Sequence, residues 1–419
     1  MAGQGDAEGG EEGDTDTDKD GEGDHKGDKE GRVGGDEVAA PPPPWATTLA
    51  TLCLKRFSSL PKAGKPVEGQ WTVVACTAVV RGEEVELTSL ATGTKCLGGA
   101  ARRAMAAAGS LLHDSHAEVL ARRGLLLWLL EQVEAGGTRW VEQVEGGWRL
   151  AEGWQVVMLT SHPPCGDATI APRAQGGEEE LGAPCAGSGG EPNAKKRRLE
   201  GGDIHRTGGK VVQEGAADPE GEGAAYHALG VLRTKPGRGP RTLSLSCSDK
   251  MLKWNLLGLQ GALLSHLYPA PIHLHALVLT GAPLDRPALA RALWERGGKC
   301  SNRPALHAVP LAWGHAKAAG APACPDSVVW VAGGKEGHRE ALTAGHRQGW
   351  ANKKLDNPKS WSLLCRRSLA GRVAALAPLP ANYTAAKAAS PLAARKEGRG
   401  PGILDLWPLK PQEDFSLAS

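Results

Sequence analysis

The chain has 419 residues, long for one ordinary domain, and a formal charge of only +2 from 49 Lys+Arg against 47 Asp+Glu. Its longest unbroken apolar run, Leu125 to Leu130, is far short of the roughly 20 residues of a membrane span, and its acidic, glycine-rich start has no signal-like apolar core. Nine irregularly spaced cysteines without an export signal argue for reduced thiols and an intracellular, nuclear or cytoplasmic protein, not a disulfide framework.

The near-neutral charge hides a split. Residues 1–40 hold 14 acidic and 4 basic side chains, a net of −10, with almost no large apolar groups. Such a segment cannot bury enough surface to order itself, so 1–44 is expected to be a disordered tail closed by the stiff run Pro41 to Pro44. Trp71 to Val80 then reads as a strand that Glu83 to Ser89 can pair with. Ser115-His116-Ala117-Glu118 opens an amphipathic helix running to about Glu134, and Trp154 to Thr160 is a β-rich apolar run ended by Pro163-Pro164. The stretch 172–225, rich in Gly, Glu and Ala, is expected to be an unstructured insertion within a domain spanning 45–419. Next come a short strand, Leu243 to Ser246, and a long helix from Cys247 to about Leu267. The runs Ala276 to Thr280 and Ser327 to Ala332 can extend a sheet. Strands alternating with helices imply an α/β fold. With the tail and the insertion (7 basic, 10 acidic) set aside, the folded parts carry 38 basic and 23 acidic residues, a net of +15. That surplus suits a phosphate-bearing partner.

The residues with most chemistry are His116, Glu118, Cys165 and Cys247, each near an expected helix start, where the dipole favours thiolate. One imidazole and two thiolates make a three-ligand catalytic zinc set with a fourth position for water. Glu118 would be the unligated carboxylate that moves protons, as in zinc deaminases. Simpler readings stand beside this. Ser115-x-x-Glu118 is also a capping box, and an isolated cysteine is often a small buried hydrophobe. Ala168 stands where the common deaminase signature has its second cysteine, so spacing alone does not join Cys165 to Cys247.

Several runs resemble the adenosine-to-inosine RNA-editing deaminases, which include duplex-RNA editing enzymes and a tRNA-specific branch. They are Gly93-Thr-Lys-Cys96, Asp114-Ser-His-Ala-Glu-Val119 with Arg122-Arg123, Pro163-Pro-Cys-Gly-Asp-Ala168, Lys235-Pro-Gly-Arg-Gly239, and Ser246-Cys-Ser-Asp-Lys250 leading to Trp254-Asn255 and Gly258-x-Gln260-Gly261. The resemblance implies a cytidine-deaminase-like mixed sheet flanked by helices. It implies His116, Cys165 and Cys247 as zinc ligands and Glu118 as proton shuttle. It also implies a buried inositol hexakisphosphate held by Arg122, Arg123, Lys250, Lys253, Trp254, Lys235, Arg366, Tyr383, Lys387, Trp407 and Lys410. His113 departs from a usual Asn, Lys253 from a more common Arg, and Ala393 from an expected Tyr.

The spelling around Cys165 and the Lys-Pro-Gly-Arg-Gly run look like the tRNA-specific branch. That implies deamination of the adenosine 3′ of the anticodon, tRNA position 37, in alanine tRNA, with no membrane and no obligate protein partner. A duplex-RNA (mRNA) deaminase and a non-catalytic RNA-binding relative are the alternatives. His273 and His275 share a strand face and could bind metal, and Lys195 to Arg198 could be a nuclear signal or an RNA patch.

Overall fold

A computed structural model describes residues 41–97, 106–172, 204–205, 209–212, 227–235, 242–408 and 414–417. Within the unit Pro42–Ser419, eight strands form one mixed sheet: β1 Val74–Arg81, β2 Glu84–Thr92, β3 Gln155–Thr160, β4 Leu274–Thr280, β5 Ala305–Val309, β6 Asp326–Val331, β7 His338–Thr343 and β8 His346–Arg347. Their spatial order is β5-β4-β3-β1-β2-β6-β7-β8. β1 runs antiparallel to β2 and β3, whereas β4 runs parallel to β3 and β5. Five of the six expected strands are present, as β1, β2, β3, β4 and β6. β5 and β8 lie at the two edges and β7 lies next to β8, and partial exposure there weakens the apolar signal.

Both faces of the central strands are covered. In β1, Ala75 and Val79 face one cluster, whereas Val74, Cys76, Ala78 and Val80 face another. Helix α1 (Pro44–Ser59) covers the second face through Ala46, Leu49, Ala50, Cys53 and Phe57. Pro44 is its first residue, a position where the missing N–H is no loss, so the proline run enters the helix rather than ending before it. Helix α2 (Ala117–Glu134) lies on the opposite face against β1, β2 and β6. It is expected to be amphipathic but is buried on nearly all sides, because further helices and a hairpin at 141–150 close over it.

Six more helices follow among the described residues. α3 (Cys247–Leu257) and α4 (Gly261–Leu264) replace the single long helix expected to Leu267. Gly258, at φ 99°, breaks it, since that backbone conformation cannot continue a right-handed helix. The expected strand at Leu243 to Ser246 reduces to an isolated bridge between Thr234 and Leu245. α5 (Arg286–Leu293) and α6 (Arg366–Leu376) join the α2 layer, followed by the short α7 (Tyr383–Ala388) and α8 (Pro391–Glu397). Most of the 172–225 insertion, Lys195 to Arg198 included, lies outside the described residues, as does nearly all of the 1–44 tail. No helix among the described residues is long and apolar enough to cross a membrane.

One end of the sheet is set up for a site. The N–H of Gly93, just after β2, donates to the Val73 carbonyl, and Ala117 N–H donates to the Gly93 carbonyl. Ser161, just after β3, exchanges bonds with Val74 through its N–H and its hydroxyl. The start of β1, the ends of β2 and β3 and the start of α2 therefore meet. The close approach of α2 to the sheet depends on Gly124, where an added Cβ would lie 2.6 Å from Ser89 Cβ. Gly124→Ala is therefore expected to destabilise the protein by about 1–3 kcal/mol, read from the midpoint of urea unfolding.

Candidate active site

His116 ends a short strand, Asp114–His116, that pairs with Thr94–Cys96. It is the N-cap residue of α2, and no side-chain cap bond forms there. The capping-box reading of Ser115 and Glu118 is thereby set aside, and Glu118 is left for another use. Cys165 follows the two prolines. The next residue, Gly166, has φ 106°, and a Cβ there would sit 2.3 Å from Ser246 Oγ and 2.7 Å from Ser248 Oγ. A glycine is required for the Cys165 loop to press against the start of α3. Cys247 is the first residue of α3, whose N-cap Ser246 accepts from the Asp249 N–H.

These three segments bring the ligand atoms together. Cys165 Sγ lies 3.8 Å and Cys247 Sγ 3.6 Å from His116 Nδ1, and Cys247 N–H points at Cys165 Sγ at 3.3 Å. All three ligand atoms lie within 4.8 Å of one another. The donor set and its span fit a tetrahedral zinc site with one position left open. Of the two thiols, Cys165 is held well below the usual range, first by its hydrogen bond with Cys247 and then, against the effect of burial, by Lys235 and His116. Burial pushes Cys247 well up. No other such group occurs among the described residues, so His273 and His275 do not form a metal site there.

Glu118 is the second residue of α2 and is 3 % exposed, with Oε2 lacking any hydrogen-bond partner among the described residues. Burial, and then the Cys165 thiolate, raise its carboxyl above the usual range. A buried carboxyl with a free oxygen and a raised pKa beside a metal set is suited to carrying a proton.

Beneath the ligands lies a buried ionic cluster. Asp114, two residues before His116, accepts from Lys235 Nζ at 2.9 Å, from Ser244 Oγ at 3.0 Å, from the His116 N–H at 3.0 Å, and from Lys250 Nζ. Burial alone would raise its carboxyl, but the two ammonium groups hold it well below the usual range. Lys235 is fully buried and also donates to Cys247 Sγ at 3.1 Å. Expected among the inositol phosphate ligands, Lys235 thus reaches Asp114 and the metal set, with Lys250 beside it. The role of Asp114 is not visible in the sequence, because its lysine partners lie 121 and 136 residues away. Asp167 of the Pro-Cys-Gly-Asp run was also missed as an anchor. It receives Arg291 Nε at 3.0 Å and the Gly230 N–H at 2.8 Å, pinning the Cys165 loop to α5.

A second group of cations occupies the other side of α2 and α3. Arg122 Nε donates to the Leu259 carbonyl, and its guanidinium lies 5.2 Å from the Trp254 ring. Arg123 Nε donates to the Leu364 carbonyl. Lys253 lies 4.7 Å from the Trp407 ring and Arg366 6.0 Å from the Tyr383 ring. Arg122, Arg123 and Lys253 make no ion pair among the described residues. Burial, and then neighbouring positive charge, push Arg122 down to about 9 and Lys253 down to about 8, with Lys387 the first charge acting on Lys253; burial takes Arg123 to about 10. Desolvated like charges without an acid are costly, and an anion among them would offset that cost. The arrangement could hold a compact polyanion through charge-assisted bonds. Lys410 lies outside the described residues.

The fold and the His-Cys-Cys set with its adjoining carboxyl define a deaminase-type metal site. Residues 89–393 match the adenosine-deaminase (editase) domain, more than half of the chain, and the chain belongs to that family, whose activity is hydrolytic. The human protein named tRNA-specific adenosine deaminase 1 is 32% identical over 358 residues, covering 62% of this chain and 70% of its own length. The Drosophila melanogaster protein of that name is 38% identical over 256 residues, covering 60% of this chain and 59% of its own length. The mouse protein named double-stranded RNA-specific editase B2 is 26% identical over 369 residues, covering 83% of this chain and 46% of its own.

Replacing Cys165 or Cys247 by Ala is expected to abolish stoichiometric zinc, measured by elemental analysis of the purified protein. One zinc per chain retained in both variants would overturn the ligand assignment.

Proposed function

We propose that this protein deaminates adenosine to inosine in transfer RNA, at the adenosine immediately 3′ of the anticodon of alanine tRNA. The observation that carries the chemistry is the buried Glu118 carboxyl, with Oε2 free of partners among the described residues, beside the His116, Cys165 and Cys247 set. A zinc ion bound there supplies Lewis acidity toward water. Glu118 takes a proton from the water that adds to C6 of adenine and delivers it to the departing amino group. Adenosine and water become inosine and ammonia. His116 and the two cysteines hold their positions through the strand at 114–116, the Gly166 turn and the start of α3.

Substrate choice rests on other support. The relatives at 32% and 38% identity carry tRNA in their names, whereas the duplex-RNA editase is at 26%. A base in an anticodon loop is already largely unpaired, so presenting it to a buried site costs less than extruding one from a duplex. The +15 net charge of the folded parts favours a partner held through phosphates.

Inositol hexakisphosphate is the proposed occupant of the cation group around Arg122, Arg123, Lys253, Arg366 and Lys387, with Trp254, Tyr383 and Trp407 beside it. Burial first, and then Lys387, Lys396, Arg122 and Lys250, lower the Lys253 ammonium. Neutralising desolvated like charges stabilises the fold, so the bound polyphosphate acts structurally.

Sequencing of alanine tRNA incubated with the pure protein is expected to show A-to-G conversion at the residue 3′ of the anticodon. Glu118→Gln is expected to lower the rate by about 10²-fold or more while keeping its zinc. Conversion confined to long duplex RNA would overturn the substrate reading, and an active Glu118→Gln would overturn the proton route. Mass spectrometry of denatured protein is expected to release inositol hexakisphosphate. Protein made in cells unable to synthesise it should unfold at lower urea, and an equally stable protein without it would refute its role.

A further inference from the structure

A band of rings and cations runs from the C-terminal end of α1 to the loop that carries Cys165. At its far end, Lys65 Nζ lies 4.6 Å from the Phe57 ring. Phe57 packs edge-on against Trp313 at 4.8 Å and His315 at 5.8 Å. Trp313 Nε1 donates to the Thr72 carbonyl at 2.7 Å, and Thr72 N–H donates to the His315 carbonyl at 3.0 Å. The neighbouring residue, Trp71, has Lys317 5.5 Å from its ring and His162 at 6.3 Å, with the two rings inclined by 36°. His162 is three residues from Cys165.

Phe57, Trp71 and Trp313 are buried, so they form the footing of the band. Lys65, His315, Lys317 and His162 are partly exposed above it. Among the described residues, Lys317 is the charge that acts on His162 and Lys65 the charge that acts on His315. Burial, and then Lys317, push His162 down to about 4, so its ring is neutral near pH 7. A neutral imidazole offers a stacking face, and an ammonium two contacts away offers charge for a phosphate. Alternation of stacking faces and cations is the pattern by which proteins follow a single nucleic-acid strand.

We propose that Lys65, His315, Lys317 and His162 form the track on which the unpaired RNA strand next to the reacting adenosine lies. His162 stacks on the base nearest the site, and Lys317 and Lys65 meet successive phosphates. This rests on the RNA-deaminase reading above and extends it to residues that hold substrate without touching the reacting atoms. The strand leads away from the end of the sheet where His116, Cys165 and the start of β1 meet.

The test uses the full-length protein and a fluorescent alanine-tRNA anticodon stem-loop, with Kd measured by anisotropy across a salt series. The Lys65→Ala/Lys317→Ala double variant is expected to weaken binding at least about tenfold and to lower the log–log salt slope by about 1.4, two contacts at about 0.7 each. His162→Ala is expected to raise Kd about fivefold or more, roughly 1 kcal/mol, and His162→Phe to restore it by keeping a stacking face. Arg149→Ala removes one charge on the 141–150 hairpin, beyond the far end of α2, and is expected to bind as the wild type does. Zinc content, measured on each variant, shows whether the Cys165 loop is intact; the lysine pair tests the track independently of that loop. Unchanged Kd and salt slope in the double variant would overturn the track, and so would equal losses in Arg149→Ala. If the wild type formed no inosine in any RNA, the functional reading would fall, while the Kd comparison would still decide the track.

Discussion

The Asp114 carboxylate, buried between Lys235 and Lys250, is the interaction on which the rest of the site depends. Burying ions costs several kcal/mol each unless geometry and hydrogen bonding are complete. Here they are: two ammonium groups, the Ser244 hydroxyl and the His116 N–H share the two oxygens. The same contacts join three segments far apart in the chain. Asp114 leads into His116, Lys235 turns its remaining hydrogen bond to Cys247 Sγ, and Lys250 lies on the helix that Cys247 opens. One satisfied carboxylate thus sets the register between the strand bearing the imidazole and the helix bearing a thiolate. Loss of Lys235 would remove a bond to Asp114 and the contact with Cys247 Sγ together.

Charge in this protein is organised by depth. The formal +2 is the sum of an acidic tail, a mildly acidic insertion and a strongly basic folded part. Part of that positive charge faces inward, in the Arg122, Arg123 and Lys253 group, where burial has already pushed Lys253 down to about 8. Another part neutralises Asp114. What remains at the surface, including Lys65 and Lys317, is a smaller surplus than the composition implies. Net charge therefore points to an anionic partner but does not say whether that partner is enclosed or external.

The candidate site was partly legible in the chain. His116 and Glu118 are neighbours on one short run, so their pairing follows from local spacing. Cys165 and Cys247 lie 82 residues apart, and only the resemblance to a known family joined them before the structure brought Cys247 N–H to Cys165 Sγ. Helix α2 reads as amphipathic because Arg122, Arg123, Glu131 and Glu134 punctuate it, yet nearly all the rest of it is buried. Arg122 and Arg123 report where cations enter the interior, whereas Glu131 is half-buried and Glu134 is exposed at the end of the helix. Gly258 is the reverse case. The signal for the break between α3 and α4 is present, but the apolar residues beyond it continue a helical pattern that hides it.

By itself, the sequence determined the elements whose causes are local. These are the alternating and apolar runs of the central strands, the start of α2 at His116, and the kinds of side chain available for metal and proton transfer. Tertiary structure decided the roles of Lys235 and Lys250, the closing of a cation group around Arg122 and Arg123, and the band from Lys65 to His162. Each of those depends on contacts between segments tens to hundreds of residues apart. Their energies come from burial and from charge pairing at a few ångströms, and neither can be read from spacing along the chain.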